Sequence, residues 1–498
     1  MTPRHGVAPS LALTAFLVTS LAGAPVAGQE VQPFAAPGRA GASSPGGGEL
    51  VAGRPMRLGF APAPGIAAAP PSMYRAFFDR PTDRVPCIEA ARRLVANGGK
   101  GVGSRELTGP LVAAFGSDAT ITMIDPSLRL GPAGLAGIVR LPGPPKAFTL
   151  DTVGQRLFVA TAEPPVVATV DLVTRRADAV LSFDKPVTDL AWDAAGEVLL
   201  VLSADGVVTL HDPDTLQPRA EPTLPMGSAG SIAILPRERL VALASIAGQL
   251  LILDAPTLRP LHVVDLPGSA GHPVRLAVAE ETATIFVAAG ALAFAIEATS
   301  GRLVARLVLP ASAKAVLPLP SGRAAALLID GAVVVLDAAA GLAFKLPAAL
   351  SAEVSLAGPT LYLRPEGTSR LTLVDALRLR PGRVGTAVAD AGAAAFGNAG
   401  LPLLAPLGEA MLVGNPEERR IYLHHGMGMA SPRAAFAAGG SPLAGIVALA
   451  REPARTAAAR IELTTEAPGV GRWRLIFALP EQGRAVCHEI SIAPEAPA

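Results

Sequence analysis

The sequence predicts an all-β protein: a seven- or eight-bladed β-propeller plus a small C-terminal β-sandwich completed by the N-terminal segment. The first observation behind this is a unit of about forty residues that recurs between residues 108 and 425. LAWDAAGEVLLVLSADGVVTLHDPDTLQP (residues 190–218) aligns by eye with SIAILPRERLVALASIAGQLLILDAPTLRP (231–260) and with DTVGQRLFVATAEPPVVATVDLVTRR (151–176). The second is an acidic marker in each copy, at Asp125, Asp171, Asp212, Asp254, Glu297, Asp337 and Asp375, spaced by 38 to 46 residues. The third is a change of pattern after residue 441, where alternating strands replace the repeat. A unit of short strands and turns is one antiparallel sheet that cannot bury both of its faces. Arranging such sheets radially buries them and leaves only short edges.

Taken in chain order, residues 1–28 read as a signal peptide. Arg4 and His5 give a basic start, residues 11–22 form an apolar run too short to span a bilayer, and Val26-Ala27-Gly28 offers small residues for cleavage. No cysteine lies near that point, which argues against a lipid anchor, and no later run predicts a membrane span in the mature chain. Residues 29–49, rich in Gly, Pro, Ala and Ser, read as a disordered linker. Residues 50–107 carry a strand near LVAGRPMRLGF and an irregular stretch over 72–86 whose Tyr74, Phe77 and Phe78 want burial. A short amphipathic helix over 87–97 follows, stopped by Gly98-Gly99. The propeller is placed at 108–426. Its last unit, 401–425, lacks a clear fourth strand, and its first, 108–143, lacks a good inner one. Either the two close the ring together as one of seven blades, or there are eight with one incomplete. Residues 427–498 read as the sandwich, with LAGIVALA, ARIELTT, RWRLIFALP and RAVCHEISI as its strands.

Bulk composition narrows the function. Half of the 498 residues are apolar (50%), 17% are charged, aromatics make up 4%, and the net charge is +1. Phosphate binding needs a basic stripe, so nucleic acid is not expected as a partner. The Ala-, Gly-, Arg- and Pro-rich composition with a leader points to a periplasmic or secreted protein.

The repeats resemble YVTN-type, WD40-like propellers. The order of segments resembles periplasmic YncE-like proteins of the cytochrome D1 domain type that carry a small FixH- or YtkA-like sandwich. The segments concerned are ELVAGRPMRLGF, Cys87 ahead of its helix, GSDATITMIDPSLRLG, VGNPEERRIYLHHGMGMASP and APGVGRWRLIFALPEQGRAVCHEI. The resemblance implies fold and compartment and little about activity. The chain departs from cofactor-binding propellers. His211, His262 and His272 are the only histidines of the repeats before His424 and His425, none at a repeated position, and Trp192 is the only tryptophan there. A haem or a quinone cofactor is therefore not expected.

Candidate chemistry is sparse. His424, His425, Met427 and Met429 cluster on one Gly-rich segment and would suit copper. The plainer alternative is a strand end followed by a linker, with Met filling a seam. The acidic markers fit turns that they cap better than a central calcium site. No GxSxG, HExxH or phosphate-loop motif is present, and no catalytic residue is assigned. Cys87 and Cys487, the two cysteines of the chain, are expected to pair once exported, the composite sandwich bringing both ends together. The function expected is a non-catalytic periplasmic binding or scaffold ring for a protein partner or ligand. Copper handling or redox accessory work is one alternative, and a lactonase-type hydrolase another.

Overall fold

The computed structural model describes residues 33–37, 49–61, 70–80, 85–97, 103–125, 135–220, 229–347, 350–397, 400–427, 431–455 and 460–495. The expected signal segment, residues 1–28, lies outside these. Ten four-stranded antiparallel sheets make up the described fold. Eight are blades arranged around a channel and two face each other as a sandwich, so the ring has eight complete blades.

Blades 2 to 8 are each a meander in chain order, over residues 145–182, 187–220, 229–265, 274–308, 313–345, 353–390 and 404–437. Blade 2 runs Pro145–Asp151, Arg156–Thr161, Val166–Asp171 and Arg176–Ser182 from the channel outward. The second strand of a blade is buried throughout, as in Arg156–Thr161, Leu240–Ser245, Thr284–Ala289 and Arg323–Leu328. These strands read as continuous apolar runs because neighbouring blades cover both faces. Burying each Val, Leu or Ile contributes about 1.5–3 kcal/mol. Phe115 of blade 1 stacks on Phe148 of blade 2 at 5.1 Å, and Phe158 of blade 2 lies 5.4 Å from Trp192 of blade 3.

The acidic markers cap the turn between third and outermost strands. Asp171 Oδ1 accepts from the backbone N–H of Val173 and Thr174, Asp212 Oδ1 from those of Asp214 and Thr215, and Asp375 Oδ1 from those of Leu377 and Arg378. One local mechanism thus recurs around the ring. The turn after the innermost strand repeats as well. It places Gln155, Glu197, Arg239, Ala283 and Ser321 in the left-handed region, although none is glycine.

Three sequence expectations are corrected here. Ring closure draws on segments assigned to the sandwich. Ala434–Ala437 is the outermost strand of blade 8, and Leu443–Arg451 is the innermost strand of blade 1, paired antiparallel with Gly109–Gly116. The ring therefore extends from residue 109 to Arg451, not to 426, and the sandwich does not begin at 427. LAGIVALA misled because an alternating apolar strand has the same pattern in a blade and in a sandwich. Within the span read as a disordered linker, Pro33–Pro37 forms a strand against Pro55–Phe60. Prolines are tolerated there because an edge strand need not donate on its outer side. Within the stretch read as irregular, Arg75–Asp79 is a strand.

The sandwich is composite. One sheet contains Pro33–Pro37, Pro55–Phe60, Ile461–Glu466 and Ala454–Arg455, and the other Arg105–Glu106, Arg75–Asp79, Gly471–Leu479 and Arg484–Ile492. Phe60, Tyr74, Phe477, Leu463 and Leu475 fill its core. The helix Cys87–Ala96 covers the outer face of the second sheet through Ala90, Ala91 and Leu94.

Candidate functional site

Each innermost strand runs from one end of the channel, here the entry face, to the other, the exit face. The sandwich sits on the exit face against blades 1 and 2. Thr464 Oγ1 donates to the Val153 carbonyl at 3.1 Å, Gln155 Nε2 donates to the Thr464 carbonyl, and Arg175 pairs with Glu466 at 3.2 Å. Beside this junction Arg451, the last residue of the closing strand, forms a buried ion pair with Asp125 at 2.7 Å.

The entry face carries a recurrent irregularity. The register slips at the second residue of the innermost strand in blades 1, 2, 3, 4 and 6, at Ala444, Lys146, Thr188, Gly230 and Lys314. A bulge leaves that residue out of the ladder and re-aims its side chain. Lys146, Thr188 and Lys314 are exposed there, and so is Arg275, second in the innermost strand of blade 5, although that strand has no bulge and pairs Arg275 in register with Ala288. Arg275 Nε donates to the Lys314 carbonyl at 3.0 Å and Nη1 to that of Val274 at 2.8 Å; Lys314 Nζ donates to the Ala352 carbonyl at 3.1 Å. Backbone carbonyls hold both cations without neutralising them.

The carboxylates nearest this mouth are committed elsewhere. Asp189 accepts from the N–H of Leu190 at 3.0 Å and of Ile232 on the next blade at 3.4 Å. Burial pushes its carboxyl up to about 6, against those bonds and the charge of Arg275. Glu353 pairs with Arg364 at 3.0 Å and accepts from Leu403 and Leu404 N–H, each at 2.9 Å, with burial again raising its carboxyl. Large apolar side chains stand exposed on the turns of the same face: Val207, Ile246, Ile329 and Leu350 at 48%, 45%, 69% and 58%. All four belong to the half of the ring that contains Arg275 and Lys314.

The candidate copper ligands are not assembled as the sequence suggested. His424 and His425 are consecutive in the strand Arg420–His425, so they point to opposite faces. His424 is buried at 1% exposure and His425 is exposed. Met427 is half-buried against the core shared by blades 7, 8 and 1, and Met429 lies outside the described residues. Burial lowers the His424 imidazole to about 4, and neither ring nitrogen has a hydrogen-bond partner. Its cross-strand neighbour is the buried Met411, thirteen positions earlier in the chain and outside any motif that would group the two. Among the described residues no three His, Cys, Asp or Glu side chains stand close enough to hold a metal.

Cys87 and Cys487 are joined by a disulfide, Cα to Cα 5.8 Å. In the same sandwich an apolar cleft of about 470 Å³ opens between Phe60, Tyr74, Phe477, Leu479 and Val486, with Arg484 at its lining. Among the described residues no helix is long and apolar enough to cross a membrane.

No family profile and no curated protein matches this sequence. Solved structures do match. The dihydro-haem d1 dehydrogenase NirN in complex with DHE is similar at a TM-score of 0.53 and 13% identity, over 68% of this chain and 75% of that one. BamB from Moraxella catarrhalis is similar at 0.44 and 14%, over 63% and 90%. The computationally designed protein Ika8 is similar at 0.43 and 13%, over 51% and 77%. At such identities the likeness to NirN is one of fold.

Proposed function

We propose that this protein is a non-catalytic, periplasmic or secreted binding ring of the YVTN-like kind, which engages a protein partner through the entry face of its propeller. The observation that carries the reading is the placement of Val207, Ile246, Ile329 and Leu350. Four large apolar side chains stand exposed on turns of one face, while the sandwich occupies the other. Binding residues sit disproportionately on turns held by a rigid scaffold, and the blades beneath support these turns in that way. The leader-like N-terminus and the paired cysteines support the compartment. The test is a photo-crosslinking residue placed at Val207, at Ile329 and, for contrast, at Val180 on the outermost strand of blade 2, with the protein expressed in its native host. Discrete adducts from the first two positions alone support the reading. No adduct from the entry face, or equal adducts from all three, would overturn it.

A second reading, soft-metal handling, keeps one observation in its favour. The unpartnered, neutral imidazole of His424 lies across from the thioether of Met411, a donor pair that suits Cu(I). Titration of wild type and His424→Ala with Cu(I) under a competing chelator decides it: equal affinities would end this reading.

A further inference from the structure

The channel mouth says what kind of partner the entry face fits. Lys146, Arg275 and Lys314 stand second in the innermost strands of blades 2, 5 and 6 on the entry face, the two lysines at bulges and Arg275 in register with Ala288. Each is exposed, and no described carboxylate forms a salt bridge with any of them. Arg275 reaches across to the backbone of Lys314 on the next blade, and Lys314 Nζ reaches on to the Ala352 carbonyl, so the two cations stand on neighbouring blades. Both cations are held by backbone carbonyls, so an incoming anion meets donors that are already oriented. Asp189 and Glu353 do not supply the anion, because backbone N–H groups and Arg364 occupy them.

The surroundings separate a protein anion from a nucleic acid. The outer turns of the entry face carry exposed Glu163, Asp184, Asp205, Asp330 and Glu366. A phosphate backbone running across the face would have to cross this acidic periphery, whereas a short segment with its carboxylates confined to the centre avoids it, and the net charge of +1 supplies no compensating stripe. A short segment that places carboxylates over the centre and apolar side chains against Val207, Ile246, Ile329 and Leu350 matches both features. We propose that the entry face captures an acidic peptide segment with apolar flanks, seating its carboxylates on Arg275 and Lys314, with Lys146 across the mouth. The proposal rests on the binding-ring reading above and adds the chemistry of the partner.

The probe is a fluorescein-labelled peptide with glutamates at its centre and leucines on both flanks, followed by anisotropy. A lysine-leucine peptide, single-stranded DNA and inorganic phosphate serve as comparisons. The proposal expects the acidic peptide to bind the wild type in preference to the other three. In Arg275→Glu/Lys314→Glu its affinity should drop at least about tenfold, the scale of losing two charge-assisted contacts. Ile329→Asp should also weaken it, while the single charge reversal Lys185→Glu, on an exposed loop of the same face, should not. Tighter binding of DNA or of the basic peptide, no binding of the acidic peptide, or an unchanged affinity in the double variant would each overturn it. The crosslinking experiment separates this failure from that of the broader reading. Entry-face adducts that persist in the double variant would leave the ring a binder and remove the acidic partner. Loss of all entry-face adducts in the wild type would remove both.

Discussion

Cys87 and Cys487 are 400 positions apart in the sequence and 5.8 Å apart at Cα, bridged across the outer face of the sandwich. The bond joins the helix that precedes the ring to the last strand of the chain. The sandwich is therefore closed covalently at both ends, and the ring is the loop between them.

Breaking that bond should loosen the sandwich before the ring. Closing so long a loop limits the unfolded chain, and loss of native disulfides typically costs about 2–5 kcal/mol. Cys87→Ser/Cys487→Ser should lower the thermal midpoint of the sandwich transition while the ring transition moves little. Calorimetry of the two forms, with thiol counting in denaturant, checks this; a single unshifted transition would contradict it.

His424 should make the protein sensitive to acid. Its folded value is about 4 against an ordinary 6.5, so the folded state keeps it neutral while the unfolded chain takes up a proton. Its contribution is complete above pH about 6.5 and is lost as pH falls towards 4, by roughly 3 kcal/mol in all. Urea midpoints of His424→Leu should fall less steeply over this range than those of wild type. Parallel slopes would show that the imidazole is not held neutral.

Asp189 runs the other way. Its folded value of about 6 exceeds the ordinary 3.8, so the stability it contributes is present below pH about 4 and is lost as pH rises through 6. Asp189→Asn keeps an oxygen to accept from Ile232 and Leu190 and removes the buried charge. The variant should gain stability relative to wild type between pH about 4 and 8, by up to roughly 3 kcal/mol. A difference in urea midpoint that does not change with pH would rule the effect out.

The ion pair of Arg451 with Asp125 should guard ring closure. Both side chains are buried, at 9% and 7% exposure. Arg451→Ala leaves a buried carboxylate and should cost about 3–5 kcal/mol, whereas Arg451→Met/Asp125→Ala should cost less, since removing both charges avoids the stranded one. Equilibrium unfolding of the single and double variants measures the difference; additive losses would mean that the pair is not coupled.

The blades were legible because their cause is local. Acidic markers such as Asp171 and Asp212 cap their own turns, and the buried strands read as apolar runs, so the repeat is written within each unit. The pairing of Cys87 with Cys487 was also within reach of the sequence, given that both ends complete one sandwich. Other features depend on partners distant in the chain. Leu443–Arg451 carries an alternating pattern that serves a blade as well as a sandwich, and only Gly109–Gly116 decides which. His424 and His425 read as a ligand pair until the strand turned them to opposite faces and buried one. The cationic mouth escaped notice for a similar reason. Lys146, Arg275 and Lys314 are isolated residues in three different repeats, with no spacing that singles them out. The sequence alone determined the repeating unit, because periodicity and turn capping act within a few residues. The tertiary structure decided the number of blades, the residues that close them and the side chains that meet at the channel, because those follow from where the curvature of the whole ring brings distant strands together.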